Sequence, residues 1–164
     1  MRIVIADDAV LLRAGLERLL TEAGHEVVAA VGDGTALIAA ISHHRPDLAV
    51  VDVRMPPSFT DEGVRAAMLI RRQDPDVALL VLSQYVEERY ASDLIADSPR
   101  GLGYVLKDRV ADVEDFLAVV ADVGSGGTWL DPEVVQQIFV RSRRRRTLEG
   151  LTPREREVLA LMAQ

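Results

Sequence analysis

An α/β fold with a parallel sheet covered on both faces is predicted by three features of the 164-residue sequence. Short, continuous apolar runs recur along the chain, as in strands buried on both sides. Each run is followed by a segment whose apolar residues fall at helical spacing. Turn residues (Gly, Pro, Asp) punctuate the transitions.

In order, Arg2–Ala6 (RIVIA) reads as a buried strand, and residues 9–23 place Val10, Leu11, Ala14, Leu16, Leu19 and Leu20 at helical spacing. Val27–Val31 is a second strand. A helix over 34–44 starts after Gly32-Asp33-Gly34 and stops before Arg45-Pro46. Leu48–Val53 is a third strand, and a Pro/Ser/Thr-rich loop (56–61) leads to a helix over 62–73 that ends at Asp74-Pro75. Val77–Leu82 and Leu102–Leu106 are strands, with helices over 86–96 and 111–123. Right-handed crossovers then give a doubly wound five-stranded sheet in the flavodoxin-like order 2-1-3-4-5.

This domain is expected to span 1–123. Gly124–Gly127 (GSGG) breaks the pattern, and no strand precedes it as a phosphate-cradling loop requires. Pro132 opens a further helix over 132–142, and Arg141–Arg146 (RSRRRR) reads as a solvated, flexible linker. In Leu151–Gln164, Thr152, Pro153 and Glu155 form a capping box that starts another helix. Residues 124–150 are thus expected to be a linker, and 151–164 the truncated start of a second domain.

The sequence contains no cysteine, which excludes disulfides, Cys-ligated metals and thiol nucleophiles. The start MRIVIADDAV lacks the apolar run of a signal peptide, and no stretch reaches the roughly 18–20 apolar residues of a membrane span. A soluble cytoplasmic protein without membrane contact is expected. Residues 1–140 carry 12 basic against 23 acidic side chains and residues 141–164 carry 7 against 3, so only the tail favours nucleic acid. Of 19 basic residues only Lys107 is a lysine, a position suited to a compact ammonium.

The chemistry-bearing residues fall at one sheet edge. Asp7 and Asp8 end the first strand and Asp52 lies near the end of the third, neighbours across the crevice where open α/β sheets bind ligands. Three converging carboxylates would raise one another's pKa values or demand a counter-cation, and all-oxygen donors without histidine suit Mg²⁺ rather than zinc. Ser83 and Lys107 end the fourth and fifth strands, so a hydroxyl and an ammonium face the carboxylates. Together these groups make a receptor for a phosphoryl group, with Asp52 as its acceptor. Taken singly, each has a plainer reading: Asp8 as a helix cap, Ser83 as a turn residue, Lys107 as a surface charge, Tyr104 as a strand aromatic. His25, His43 and His44 read as surface histidines.

The strings IADD (5–8), VVDVRMPP (50–57), VLSQY (81–85) and GYVLKD (103–108) resemble the receiver domain of a two-component response regulator. LTPREREVL (151–159) resembles the opening of a LuxR-type helix-turn-helix, so the architecture looks like the NarL/FixJ family. The resemblance implies that Asp52 accepts a phosphoryl group from a sensor histidine kinase. It implies Mg²⁺ held by Asp7, Asp8, Asp52 and the backbone carbonyl of Arg54. Lys107 and Ser83 would stabilise the phosphoryl group, Ser83 and Tyr104 would switch, and Arg54 and Tyr85 would tune the dephosphorylation rate. Phosphorylation would drive homodimerisation, with DNA bound through the missing part of the C-terminal domain and not through this fragment. Enzymatic turnover beyond self-phosphorylation and slow self-dephosphorylation is not expected. A haloacid-dehalogenase-like phosphatase is disfavoured because Arg54 stands where its general acid belongs. A phosphorylation-independent interaction module is disfavoured by the intact Asp7, Asp8, Asp52, Ser83 and Lys107.

Overall fold

The computed structural model describes residues 1–149 and 153–162. The elements are β1 (Arg2–Ala6), α1 (Val10–Glu22), β2 (Glu26–Val31), α2 (Gly34–His44), β3 (Leu48–Asp52), α3 (Glu62–Gln73), β4 (Ala78–Ser83), α4 (Glu88–Asp97) and β5 (Leu102–Leu106). A 3₁₀ turn (Lys107–Ala111) precedes α5 (Val113–Gly124), followed by β6 (Thr128–Leu130), α6 (Pro132–Glu149) and α7 (Pro153–Met162).

The sheet is parallel throughout, in the order β2-β1-β3-β4-β5-β6. Alternate residues of each strand feed opposite layers. Val4, Ala6, Val51, Val81 and Tyr104 pack with Leu37, Ile41 and Ile70 on one side. Ile3, Ile5, Val50, Leu80 and Val105 pack with Leu16, Leu20, Phe116 and Val120 on the other. Burial on both faces is why the strands read as unbroken apolar runs rather than as alternation.

The expected order of five strands holds, but the sheet does not end there. The sixth strand, β6, pairs with β5 through Leu102↔Thr128 to Tyr104↔Leu130. Three residues after a Gly-rich turn are too few for a periodicity signal, although Thr, Trp and Leu suit a strand. The packed body therefore extends past residue 123, and Val134 of α6 is buried in the same core layer as Tyr104.

The arginine run is also corrected. Arg141–Arg146 is helical, inside an α6 that reaches Glu149. Arg is a good helix former, and no Gly or Pro interrupts residues 133–149. Asp131 caps this helix: its carboxylate accepts from the Glu133 amide at 3.3 Å, while its own amide donates to the Tyr104 carbonyl at 2.9 Å. The expected cap Thr152 and the boundary around residues 150–152 lie outside the described residues, as do Ala163 and Gln164. Helix α7 begins at Pro153, with Val158, Leu161 and Met162 exposed.

Candidate functional site

Strand register builds the site. Ala6 pairs with Val51, so the next residues, Asp7 and Asp52, leave neighbouring strands side by side. Asp52 pairs with Leu82, one residue before Ser83, and Ser83 pairs with Leu106, one residue before Lys107. Three successive parallel pairings thus carry the two aspartates, the hydroxyl and the ammonium to one edge.

Asp7 and Asp52 are 1% and 4% exposed, so their charges sit almost out of water. One oxygen from each of Asp7, Asp8 and Asp52 lies within 4.8 Å of the others. Lys107 Nζ bridges the pair, 3.3 Å from Asp7 Oδ2 and 3.1 Å from Asp52 Oδ1. Burial, then the neighbouring Asp7 charge, pushes the Asp52 carboxyl up to about 6, while Lys107 opposes the rise.

Asp7 is anchored from several directions. Its Oδ1 accepts from the Ala9 amide at 2.9 Å, and its carbonyl accepts from Arg13 Nη1 at 2.6 Å. Asp8 does not cap α1: the cap position is Ala9, without a side-chain hydrogen bond. Half-buried Asp8 is therefore left to the carboxylate cluster. Among the described residues Asp7 Oδ2 is buried without a hydrogen bond, beyond its approach to Lys107. The donors are all carboxylate oxygens, and this set fits a hard divalent cation such as Mg²⁺.

Ser83 is buried at the end of β4, but its hydroxyl is committed to its own loop. It donates to the Tyr85 carbonyl at 2.6 Å and accepts from the Tyr85 amide at 3.3 Å. The turn-residue reading of Ser83 thus describes this conformation. Tyr104 is fully buried on the side of the sheet covered by α2, α3 and α4. Arg54 turns its guanidinium over the Tyr85 ring, 4.8 Å from the centroid, and pairs with Glu87 at 2.7 Å. The histidines lie elsewhere: the His43 and His44 rings meet edge to face, and His25 Nδ1 is 3.2 Å from the N-terminal amine.

Several residues that matter here carry weak sequence signals. Gly63 lets α3 approach β3, since a Cβ there would lie 1.7 Å from the Asp52 carbonyl oxygen. A glycine in the first turn of a predicted helix was the visible clue. Glu87 meets an arginine 33 residues earlier, a pairing no local pattern reveals. Arg109, in the turn beginning at Lys107, pairs with fully buried Asp131. The Asp131-Pro132 step was legible as a helix cap, but its long-range partner was not.

The fold and this cluster define a receiver domain. The family profile for the response regulator receiver domain matches residues 3–118, and the chain belongs to that family of two-component response regulators. The resemblance carried by the four strings is borne out. The oxygen regulatory protein NreC of Staphylococcus carnosus is 30% identical over 174 residues, spanning all of this chain and 77% of that protein. The transcriptional regulatory protein DegU of Brevibacillus brevis is 32% identical over 182 residues, spanning 99% of this chain and 74% of that protein. A LuxR-family two-component response regulator from Aurantimonas shares the fold at TM-score 0.72, with 23% identity over 86% of this chain and 96% of that one.

Proposed function

We propose that this chain is a phosphoryl-accepting switch in which Asp52 is phosphorylated by the phosphohistidine of a sensor kinase. The observation that carries the reading is Lys107 Nζ held between Asp7 and Asp52, with Asp8 completing the carboxylate cluster. An Asp52 oxygen bonds to phosphorus as the phosphorus–nitrogen bond breaks, and the imidazole leaves with the electron pair. Asp7, Asp8, Asp52 and the Arg54 backbone carbonyl would hold Mg²⁺, which when bound neutralises charge on the phosphoryl oxygens. Lys107 supplies the protein's own positive charge to the same oxygens.

The acceptor then gains strong acceptor oxygens, and Ser83 can exchange its bond to the Tyr85 carbonyl for one to the phosphoryl group. Tyr104, buried in the layer under α4, would switch together with Ser83, while Arg54 and Tyr85, stacked over the loops, would set how fast water removes the group. Residues 1–123 would be the receiver, 124–150 the connection, and 151–164 the start of a LuxR-type helix-turn-helix. Phosphorylation would promote homodimerisation, and two such domains would then meet DNA half-sites. The names of NreC and DegU, an oxygen regulatory and a transcriptional regulatory protein, support a transcriptional output. Among the described residues no helix is long and apolar enough to cross a membrane.

Intact mass after incubation with Mg²⁺ and a small phosphodonor tests the reading. One added phosphoryl group, dependent on Mg²⁺ and absent in Asp52→Asn, is expected. Neither adduct nor Mg²⁺ binding on folded protein overturns it in favour of an interaction module.

A further inference from the structure

The loops after β3 and β4 are strapped together outside the carboxylate cluster. Arg54 lies two residues beyond Asp52, Tyr85 two beyond Ser83, and Glu87 immediately before α4. Arg54 Nη2 is 2.7 Å from Glu87 Oε1, and its guanidinium stacks on Tyr85. The Glu87 side chain is 16% exposed against 46% for Arg54, so the carboxylate is the buried member of the pair. Its Oε2 is buried without a hydrogen bond among the described residues, so Arg54 compensates this carboxylate incompletely. The Glu87 carbonyl also accepts from the Tyr90 and Ala91 amides, at 3.1 and 3.4 Å, and so starts α4.

We propose that Glu87 is a positioning residue for phosphoryl transfer to Asp52: it competes with the incoming phosphoryl group for the Arg54 guanidinium. The inference rests on Asp52 being the acceptor. A phosphoryl group offers more charge and more acceptor oxygens than a carboxylate, and a guanidinium fork matches it well. As Arg54 turns to the phosphoryl oxygens, Glu87 loses its partner at the first turn of α4. Acceptor occupancy is thereby tied to the helix against which α6 packs.

The test is the rate of phosphorylation of the 164-residue chain by acetyl phosphate with Mg²⁺. In this step an Asp52 oxygen bonds to phosphorus, the phosphorus–oxygen bond to acetate breaks, and acetate leaves with the electron pair. Glu87→Gln is expected to react about two- to fivefold faster, the scale of one partly exposed ion pair. Arg54→Gln is expected to react more slowly, and adding Glu87→Gln to it should change nothing further. That non-additivity separates positioning through Arg54 from a general loosening of α4. Glu87→Asp, which keeps the charge, should return the rate toward wild type and serves if Glu87→Gln fails to fold. An unchanged Glu87→Gln rate, or a Glu87→Gln effect that survives without Arg54, overturns the positioning role alone. A wild type that takes no phosphoryl group overturns the acceptor reading and this inference with it.

Discussion

Asp52 is held in a folded state that disfavours its charge. Its carboxyl is raised from 3.8 to about 6 by burial first and Asp7 second. A raised folded pKa means that the native state binds more protons than the unfolded chain between those two values. Its contribution therefore erodes stability as pH climbs through that window, and the full penalty stands above it. In chelator-containing buffer at pH 7.5, Asp52→Asn should be more stable than wild type by about 1–3 kcal/mol. The gain should disappear below about pH 4, the unfolded carboxyl value. Thermal melts of both proteins across pH check this. Mg²⁺ at millimolar concentration should raise the wild-type melting temperature and shift Asp52→Asn much less, because only the former keeps the Asp52 carboxylate. Equal shifts would show the cation binding elsewhere.

At the scale of elements, β3 and α3 meet through a missing side chain. Gly63 donates its amide to the Val53 carbonyl at 3.0 Å, and its Cα faces the Asp52 carbonyl. Gly63→Ala would force a methyl group into backbone, which cannot yield as a flexible side chain does. A loss of about 1–3 kcal/mol is expected in denaturant melts, together with slower phosphorylation as Asp52 shifts. The five central strands and their helices were legible because each carries its own pattern: apolar runs for strands buried on both faces, and helical spacing between them. Asp7, Asp52, Ser83 and Lys107 were legible because parallel register brings strand ends together once the order is known. Strand β6 carries no such signal, because three residues show no period. The length of α6 is hidden in the sequence because an arginine run suits a solvated linker as well as a helix, and packing of Val134 and Ile138 against the core favours the helix. The Arg54–Glu87 and Arg109–Asp131 pairs depend on tertiary contact alone. The second pair ties the turn beginning at Lys107 to the cap of α6, so Asp131→Ala, which removes both the cap acceptor and the partner of Arg109, should lower the helix signal and the melting temperature together, where loss of a cap alone costs about 1 kcal/mol. Circular dichroism reads both.

For the whole molecule, the charge is divided: an acidic body with 23 acidic against 12 basic side chains through residue 140, and a basic stretch beyond it. Within that stretch Arg144, Arg145 and Arg146 are exposed on the distal part of α6. Folding the run into a helix shortens it to about 1.5 Å per residue and concentrates its charge, whereas a solvated linker would spread it. Affinity for a phosphate backbone falls with salt in proportion to the number of phosphates neutralised, while the acidic body opposes approach throughout. Duplex binding by this chain should accordingly be indifferent to sequence. If it neutralises about four phosphates, it should weaken about 100-fold between 50 and 200 mM salt. Fluorescence anisotropy with two unrelated duplexes across that range measures both the indifference and the slope. Neutralising Arg144, Arg145 and Arg146 to Gln should flatten the slope by nearly the number of charges removed. A salt-independent preference for one duplex would instead assign base readout to the described residues.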